Sequence, residues 1–118
     1  MKKIEAVILP SRVDAVRAEL EHRGICGGLT LTEVQQGDTH NHPTTFHNGS
    51  AGQLKKRIKL ELIVGDRQAD KAVSVILRHA LTDSSEPGGH VTLLDVNEVL
   101  QITHPASDIS GSGAKENP

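Results

Sequence analysis

The fold is decided by the stretch Leu54-Lys55-Lys56-Arg57-Ile58-Lys59-Leu60-Glu61-Leu62-Ile63-Val64. From position 57 to position 62, charged side chains alternate with aliphatic ones. Successive side chains of a strand point to opposite faces of a sheet, so this alternation predicts a strand with one apolar and one charged face. The charged face carries Arg57, Lys59 and Glu61, and the apolar face carries Ile58, Leu60 and Leu62.

A helix and further strands are predicted after this stretch. Gly65-Asp66 begins the helix, with Asp66 as its N-cap. Its buried stripe is Ala69, Ala72, Val73, Ile76 and Ala80. The glycine-rich turn Glu86-Pro87-Gly88-Gly89-His90 then leads into a strand over residues 91–96. A last short strand is predicted near residues 99–103.

The same order of elements is predicted before the stretch. Residues 3–9 form a strand, and Ser11 with Asp14 is typical of a helix N-terminus. The buried face of this helix is Val13, Val16 and Leu20. Gly24 suits the left-handed residue that ends a helix, and a second strand follows over residues 29–34.

Two strand-helix-strand units predict an α+β fold, a ferredoxin-like βαββαβ sandwich in which two helices cover one face of an antiparallel sheet. Its other face would be exposed in a monomer, which favours an oligomer with the sheets packed inward. We assign residues 1–104 to this domain. Residues 105–118 are rich in Ser, Gly and charge, so we expect a disordered tail.

A long polar loop is predicted between the second and third strands, over about residues 37–53. It contains three glycines and three histidines but a single phenylalanine, Phe46. Long loops in small domains are usually functional or disordered. We therefore expect the function to involve this loop, which emerges between two strands.

Composition excludes several classes of function. The net charge is −2 and the chain has one Phe, no Tyr and no Trp, which argues against a nucleic-acid partner. Cys26 is the single cysteine, so neither a disulfide framework nor a cysteine metal cluster is expected. No apolar run is long enough for membrane insertion, and no secretory signal is recognised, so a cytoplasmic protein is expected.

The loop histidines leave a second possibility open. His40, His42 and His47 are imidazole donors of the kind that bind zinc, copper or nickel, with Asp38 nearby in sequence. They would make the chain a metal-binding or metal-tolerance protein. An enzyme is not expected, because no nucleophile motif or acid–base pair is found.

The opening of the chain resembles that of PII signalling proteins. The similarity is carried by Met1-Lys2-Lys3-Ile4-Glu5-Ala6-Val7-Ile8-Leu9-Pro10, Val13-Asp14-Ala15-Val16, Gly24-Ile25, Leu29-Thr30-Leu31-Thr32-Glu33-Val34 and Ile58-Lys59-Leu60-Glu61-Leu62-Ile63-Val64. The resemblance implies a homotrimeric, non-enzymatic regulator. Such proteins bind adenine nucleotides in clefts between subunits and contact partners through the flexible loop.

The resemblance also implies a set of nucleotide-binding positions. They are Thr30, Gln36, Gly37, Arg57, Glu61, Val64, Gly88, Gly89 and His90. Arg57 lies where the family has a basic residue near the phosphates, and Gly88-Gly89 lies in its phosphate-covering turn. Glycine suits that turn, since main-chain N–H groups can approach phosphate without an intervening side chain.

Departures from the family pattern affect the choice of nucleotide. His90 replaces a lysine at the end of the turn, and Gln101 and Thr103 replace two arginines. Each missing cation removes a charge-assisted contact of about 1.5–3 kcal/mol. ADP or AMP is therefore expected to be favoured over ATP. With no Tyr in the chain, tyrosine nucleotidylylation is excluded.

These departures resemble a divergent PII-like branch associated with carboxysome and bicarbonate-transport genes. The resemblance implies that bicarbonate binds beside ADP or AMP, held by Arg57 or Lys59. It also implies a partner in inorganic carbon or nitrogen metabolism, such as a bicarbonate transporter or a carboxysome-related protein. A trimeric metal-binding protein that uses the loop histidines remains the alternative.

Overall fold

The computed structural model describes residues 1–25, 27–37, 54–83 and 88–104. Its elements are β1 (Lys2–Ile8), a 3-10 turn (Pro10–Arg12), α1 (Val13–His22), β2 (Thr30–Gln36), β3 (Lys55–Val64), α2 (Asp66–His79) and β4 (Gly89–Asp95). The strands form one sheet in the order β2-β3-β1-β4, with every neighbouring pair antiparallel. The predicted ferredoxin-like α+β fold is confirmed.

The alternation in β3 sorts its side chains as predicted. Leu60, Leu62 and Val64 are buried on the face that the helices cover. Arg57, Lys59 and Glu61 are half-buried on the other face, which we call the open face. The core is entirely aliphatic among the described residues, and it contains no charged or polar residue. The buried helix residues are Val13, Val16 and Leu20 in α1, and Ala69, Ala72, Val75 and Ile76 in α2.

Both helices begin differently from the prediction. Ser11 does not cap α1; Arg12 precedes the helix, and its Nε donates to the main-chain oxygen of His79 at 2.8 Å. Asp66 is the first residue of α2 rather than its N-cap, which is Gly65. The Asp66 carboxylate instead lies 2.9 Å from the N-terminal ammonium group. In each case a tertiary contact replaces the local side-chain cap.

The strand predicted over residues 99–103 does not form, and that prediction is wrong for the single chain. Residues 96–104 have no regular secondary structure, and Leu100 and Ile102 are 78% and 102% exposed. A strand needs a neighbour to bond its N–H and C=O groups. The described part of the chain supplies none beside this segment.

Several predictions concern residues outside the described ranges. They are the loop itself beyond Gly37, its histidines at 40, 42 and 47, Cys26, the first part of the glycine-rich turn and the tail from 105. They stay predictions.

Candidate functional site

The strand register gathers most of the predicted site at one end of the sheet. Ile8 pairs with Ile58 on one side and with Gly89 on the other. On the outer strand, Gln36 pairs with Lys55. We call this end the loop end, because the segment 37–53 joins β2 to β3 there. Its predicted site residues are Gln36, Gly37, Arg57, Gly88, Gly89 and His90.

Arg57 lies on the open face, opposite Val34 in the register. Its Nη1 donates a hydrogen bond to the main-chain oxygen of Lys56 at 2.8 Å, which orients the guanidinium group. Arg57 also lines a pocket of about 320 Å³ at this end of β2 and β3, whose other lining residues are Val34, Pro10 and four residues that alternate to the other face, Glu33, Gln35, Lys56 and Ile58. A guanidinium group carries five N–H donors in a planar fork, so this side chain is chemically suited to phosphate or a small oxyanion.

The glycine-rich turn presses against the end of β1. Gly89 has a φ of +124°, and a Cβ there would overlap the main-chain oxygen of Val7. A Cβ on Gly88 would lie 2.8 Å from the main-chain oxygen of Ala80. Both positions therefore require glycine unless the backbone moves. Close backbone packing is therefore a second reason for glycine in this turn, besides the approach of main-chain N–H groups to phosphate.

His90 extends the site onto the open face. It pairs with Val7, which pairs with Lys59, which in turn pairs with Thr32. These four residues form one row across the sheet, and directly paired residues point to the same face. His90 and Lys59 are two strands apart, about 10 Å.

Four charged side chains form a cluster in the middle of the open face. Lys3 Nζ lies 3.1 Å from Glu5 Oε2 and 3.5 Å from Glu61 Oε2. Lys59 Nζ lies 3.3 Å from Glu61 Oε2 and 4.0 Å from Glu5 Oε2. The hydrogen bond from Lys59, with the charges of Lys3 and Lys59, lowers the pKa of Glu61 despite partial desolvation. The hydrogen bond that Lys3 donates to Glu5 likewise raises the pKa of Lys3.

The cluster adds two residues that the site prediction missed. Lys3 and Glu5 alternate along β1 as Lys59 and Glu61 do along β3, and this matching alternation was the available signal. The cluster also surrounds Lys59, a predicted anion contact. An anion at Lys59 must compete with two carboxylates, whereas Arg57 lies one step closer to the loop end.

Thr30, Glu61 and Val64 lie towards the opposite end of the sheet. Thr30 pairs directly with Glu61, so their side chains share the open face. Val64 is 4% exposed within the core, so its side chain is not available from the open face. Gln36 lies six positions beyond Thr30 along β2, a distance of about 20 Å.

A single chain therefore does not assemble these positions into one cleft. β2 and β4 are the two edges of the sheet, about 14 Å apart at three strand spacings. Gln36 and Gly37 lie at one edge and Gly88 to His90 at the other. Residues from both edges can meet around one ligand when two subunits lie side by side.

Thr82 is a further residue that the sequence reasoning missed. Its Oγ1 is buried and has no hydrogen-bond partner among the described residues. Thr82 follows α2 and precedes the glycine-rich turn. A hydroxyl at this place in the sequence is the feature that could have pointed to it. A buried polar atom without a partner is costly, so the position favours an additional donor or acceptor nearby.

The described ranges contain neither a metal-binding group of side chains nor a membrane-spanning helix. No group of three or more His, Cys, Asp or Glu side chains there is placed to hold a metal ion. The histidines proposed for that role lie at 40, 42 and 47, outside those ranges. None of the described helices has the length and apolarity needed to cross a bilayer.

Comparison with known proteins identifies the family. The family model described as nitrogen regulatory protein P-II matches residues 1–105. The P-II protein of Pasteurella multocida is 34% identical over 104 residues, covering 86% of this chain and 91% of the relative. P-II of Nostoc punctiforme is 33% identical over 105 residues, and P-II 1 of Escherichia coli K12 is 34% identical over 104, with the same coverage.

The matches span the whole described fold, including the predicted site residues at the loop end and those towards the opposite end of the sheet. They confirm the resemblance seen in the sequence, including the expectation of a signalling role without enzymatic activity. The chain belongs to the nitrogen regulatory protein P-II family, whose members are trimeric signal-transduction regulators that bind adenine nucleotides and act on partner proteins.

Proposed function

We propose that this protein is a cytoplasmic homotrimeric regulator that binds ADP or AMP in preference to ATP between its subunits, together with bicarbonate. It reports the occupancy of these clefts through the loop at residues 37–53. Its target is a protein of inorganic carbon or nitrogen metabolism. Family membership supplies the signalling role, and the choice of ligands and target is our proposal.

One observation supports a shared cleft above the others. At the same end of the sheet, the loop base lies on the β2 edge and the glycine-rich turn on the β4 edge, with Arg57 on the interior strand β3 next to β2. A nucleotide that touched all of them within one chain would have to span the sheet. A ligand between two subunits can contact the β2 edge of one and the β4 edge of the other.

Exposed apolar residues support the trimer. Leu94 is 42% exposed on the open face, and Leu100 and Ile102 are largely uncovered in the segment after β4. Burying apolar area contributes about 25 cal/mol per Å². A core without aromatic side chains gains from such burial between subunits. The half-buried charge cluster of the open face would then lie among neighbouring subunits.

The preference for ADP or AMP follows from the number of cations available to phosphates. Gln101 and Thr103 are neutral and exposed, and His90 replaces the lysine that the family pattern has at the end of the turn. Lys59 is already close to two carboxylates. Arg57 is then the main cation for phosphate. ATP carries the largest negative charge, so this shortage of cations lowers its affinity the most.

Bicarbonate is a planar anion that accepts several N–H hydrogen bonds. Arg57 has a planar fork of donors beside the pocket between β2 and β3. A nucleotide with fewer phosphates leaves part of the cleft open for such an anion. Lys59 can contribute when it exchanges a carboxylate for the bound anion, so the proposed bicarbonate site is Arg57 with Lys59.

The experiment is isothermal titration calorimetry of the purified trimer with AMP, ADP and ATP, each with and without sodium bicarbonate. We expect ADP or AMP to bind more tightly than ATP, and bicarbonate to strengthen that binding. Coupling between two ligands is reciprocal, so nucleotide must tighten bicarbonate binding by the same factor. Equal affinities with and without bicarbonate would remove it from the proposal. Failure to bind any adenylate would remove the nucleotide as well.

A further inference from the structure

The outer surface of α2 carries a line of cations that the nucleotide cleft does not use. The line consists of three cations and one serine at intervals of four, three and four residues: Arg67, Lys71, Ser74 and Arg78. At about 100° per residue they fall within an arc of about 60°. We call these four residues the basic stripe. All of them are exposed, and the stripe runs for about 16 Å along the helix.

The cations of the stripe have no carboxylate partner among the described residues. Neither Arg67, Lys71 nor Arg78 makes an ion pair there. Asp66, next to the stripe in sequence, is paired with the N-terminal ammonium group. Asp70 lies at the side of the stripe, three residues from Arg67, without forming an ion pair.

The C-cap residue of α1, Arg23, adds a fourth cation beside the stripe. Arg23 lines a shallow pocket of about 50 Å³ together with Lys71, Ser74 and Arg78. Its Nε is bonded to Glu19 Oε2 at 2.7 Å, so the Arg23 side chain is held in place. Residues of two helices therefore converge on one positively charged depression that also offers the Ser74 hydroxyl.

Helix stability does not account for this arrangement. Cations near a helix C-terminus interact favourably with the helix dipole, and this interaction explains a cation at Arg78. Arg67 is the second residue of α2, where the dipole disfavours a positive charge. Arg67 and Lys71 are also four residues apart, a like-charge pair that weakens an isolated helix. Arg67 and Lys71, two of the three cations of the stripe, are therefore unfavourable for their own helix.

We infer that the basic stripe, with Arg23, is a docking surface for an acidic helix of a partner protein. Charge complementarity selects the partner, because the stripe offers three unpaired cations in a chain whose net charge is −2. A helix with carboxylates repeating every three or four residues would place them at the spacing of the stripe. With one Phe and no Tyr or Trp, the chain has few of the stacking residues that would favour nucleic acid.

The stripe lies on a different layer of the fold from the proposed clefts. The stripe lies on the helical layer, whereas the open face and the strand edges serve the subunit contacts and clefts. The trimer would present three stripes on its outside. A partner could therefore be held by the outer helices while the loop at residues 37–53 engages another part of it.

The test uses fluorescence anisotropy of the full-length trimer with two labelled peptides of identical composition. In one, glutamates in an alanine–glutamine helix repeat the four-three-four spacing of the stripe; in the other, the same residues are shuffled around the helix. We expect the matched peptide to bind at least about tenfold more tightly, with an affinity that falls in roughly 0.5 M salt. Equal binding of the two peptides would overturn the inference.

Variants locate the binding surface. Arg78→Glu is expected to weaken the matched peptide by about tenfold or more. Arg17→Glu makes the same charge change at an exposed position of α1 and should leave binding within about twofold. Equal losses in both variants, or stronger binding to vesicles of anionic lipid than to the peptide, would contradict a protein-docking stripe. ADP titrations of Arg78→Glu keep this result separate from the proposed function, since that affinity should not change.

Discussion

Lys59 Nζ lies 3.3 Å from Glu61 Oε2, two residues further along the same strand and on the same open face. Lys3 Nζ reaches the same oxygen from β1 at 3.5 Å. Glu61 thus joins two strands electrostatically at the centre of the sheet. Because Glu61 is also a predicted nucleotide contact, its ionisation connects the stability of the sheet with the proposed site.

The first prediction concerns acid stability. The pKa of Glu61 is lower in the folded chain than its ordinary value, mainly because of the Lys59 hydrogen bond. The unfolded state therefore binds the proton more readily. The stabilisation from Glu61 is present above the unfolded-state pKa and is lost as the pH falls through the folded-state pKa.

Glu61→Gln should therefore flatten the decline in stability between roughly pH 5 and pH 3, the range around an ordinary glutamate pKa. Urea unfolding at a series of pH values measures this decline. Glu21→Gln is the control, since that exposed carboxylate has no ion pair among the described residues. A decline as steep in Glu61→Gln as in the parent protein would show that the cluster does not stabilise the sheet.

The second prediction concerns the glycine-rich turn. Gly89→Ala places a Cβ against the Val7 carbonyl at a φ of +124°. We expect a loss of stability of about 1–3 kcal/mol and weaker nucleotide binding, because the turn must move away from β1. Gly28→Ala is the matched control, since its Cβ meets nothing within 4 Å. Chemical unfolding and ADP titration of both variants give the comparison; equal behaviour would disprove the constraint.

The sequence could predict the elements whose signals are local. The alternation of β3, the helical spacing of Val13, Val16 and Leu20, and the glycine after α1 all depend on neighbouring residues. Gly24 indeed has a φ of +70°. The clash that makes Gly89 obligatory was not predictable, because it depends on Val7, a residue far away in sequence.

The predictions that were wrong also depended on contacts between residues far apart in sequence. Ser11 and Asp66 looked like helix caps, but Arg12 and Asp66 make tertiary contacts with His79 and the N-terminus instead. The strand expected over residues 99–103 has suitable side chains but no partner strand in its own chain. For the site, the family resemblance supplied the positions. It could not show that the register divides them between the two edges of the sheet.

The third prediction tests Arg57. Arg57→Ala should weaken ADP binding by about 10- to 150-fold, which corresponds to a charge-assisted contact of about 1.5–3 kcal/mol. Arg17→Ala is the control, because Arg17 is an exposed cation on α1 that does not line the pocket beside Arg57. Calorimetry should show a much smaller effect for Arg17→Ala. Should Arg57→Ala bind ADP like the parent protein, Arg57 would not be a phosphate contact.

The final prediction restores the missing cations. Gln101→Arg combined with Thr103→Arg should raise ATP affinity more than ADP or AMP affinity, because the added charges compensate the extra phosphate. Each successful contact is worth about 1.5–3 kcal/mol, so the ATP-to-ADP affinity ratio should rise by about tenfold or more. Competition calorimetry with both nucleotides measures this ratio directly.

A matched control must add the same charge elsewhere. Ser11→Arg with Ala18→Arg places two arginines at exposed positions around α1, away from the segment after β4. General attraction of nucleotides to a more positive protein would raise ATP affinity equally in both double variants. The proposed explanation requires the ratio to change only for Gln101→Arg with Thr103→Arg. An unchanged ratio there would mean that the loss of these cations does not set the nucleotide preference, because restoring them at their own positions should then have returned the contact to the third phosphate.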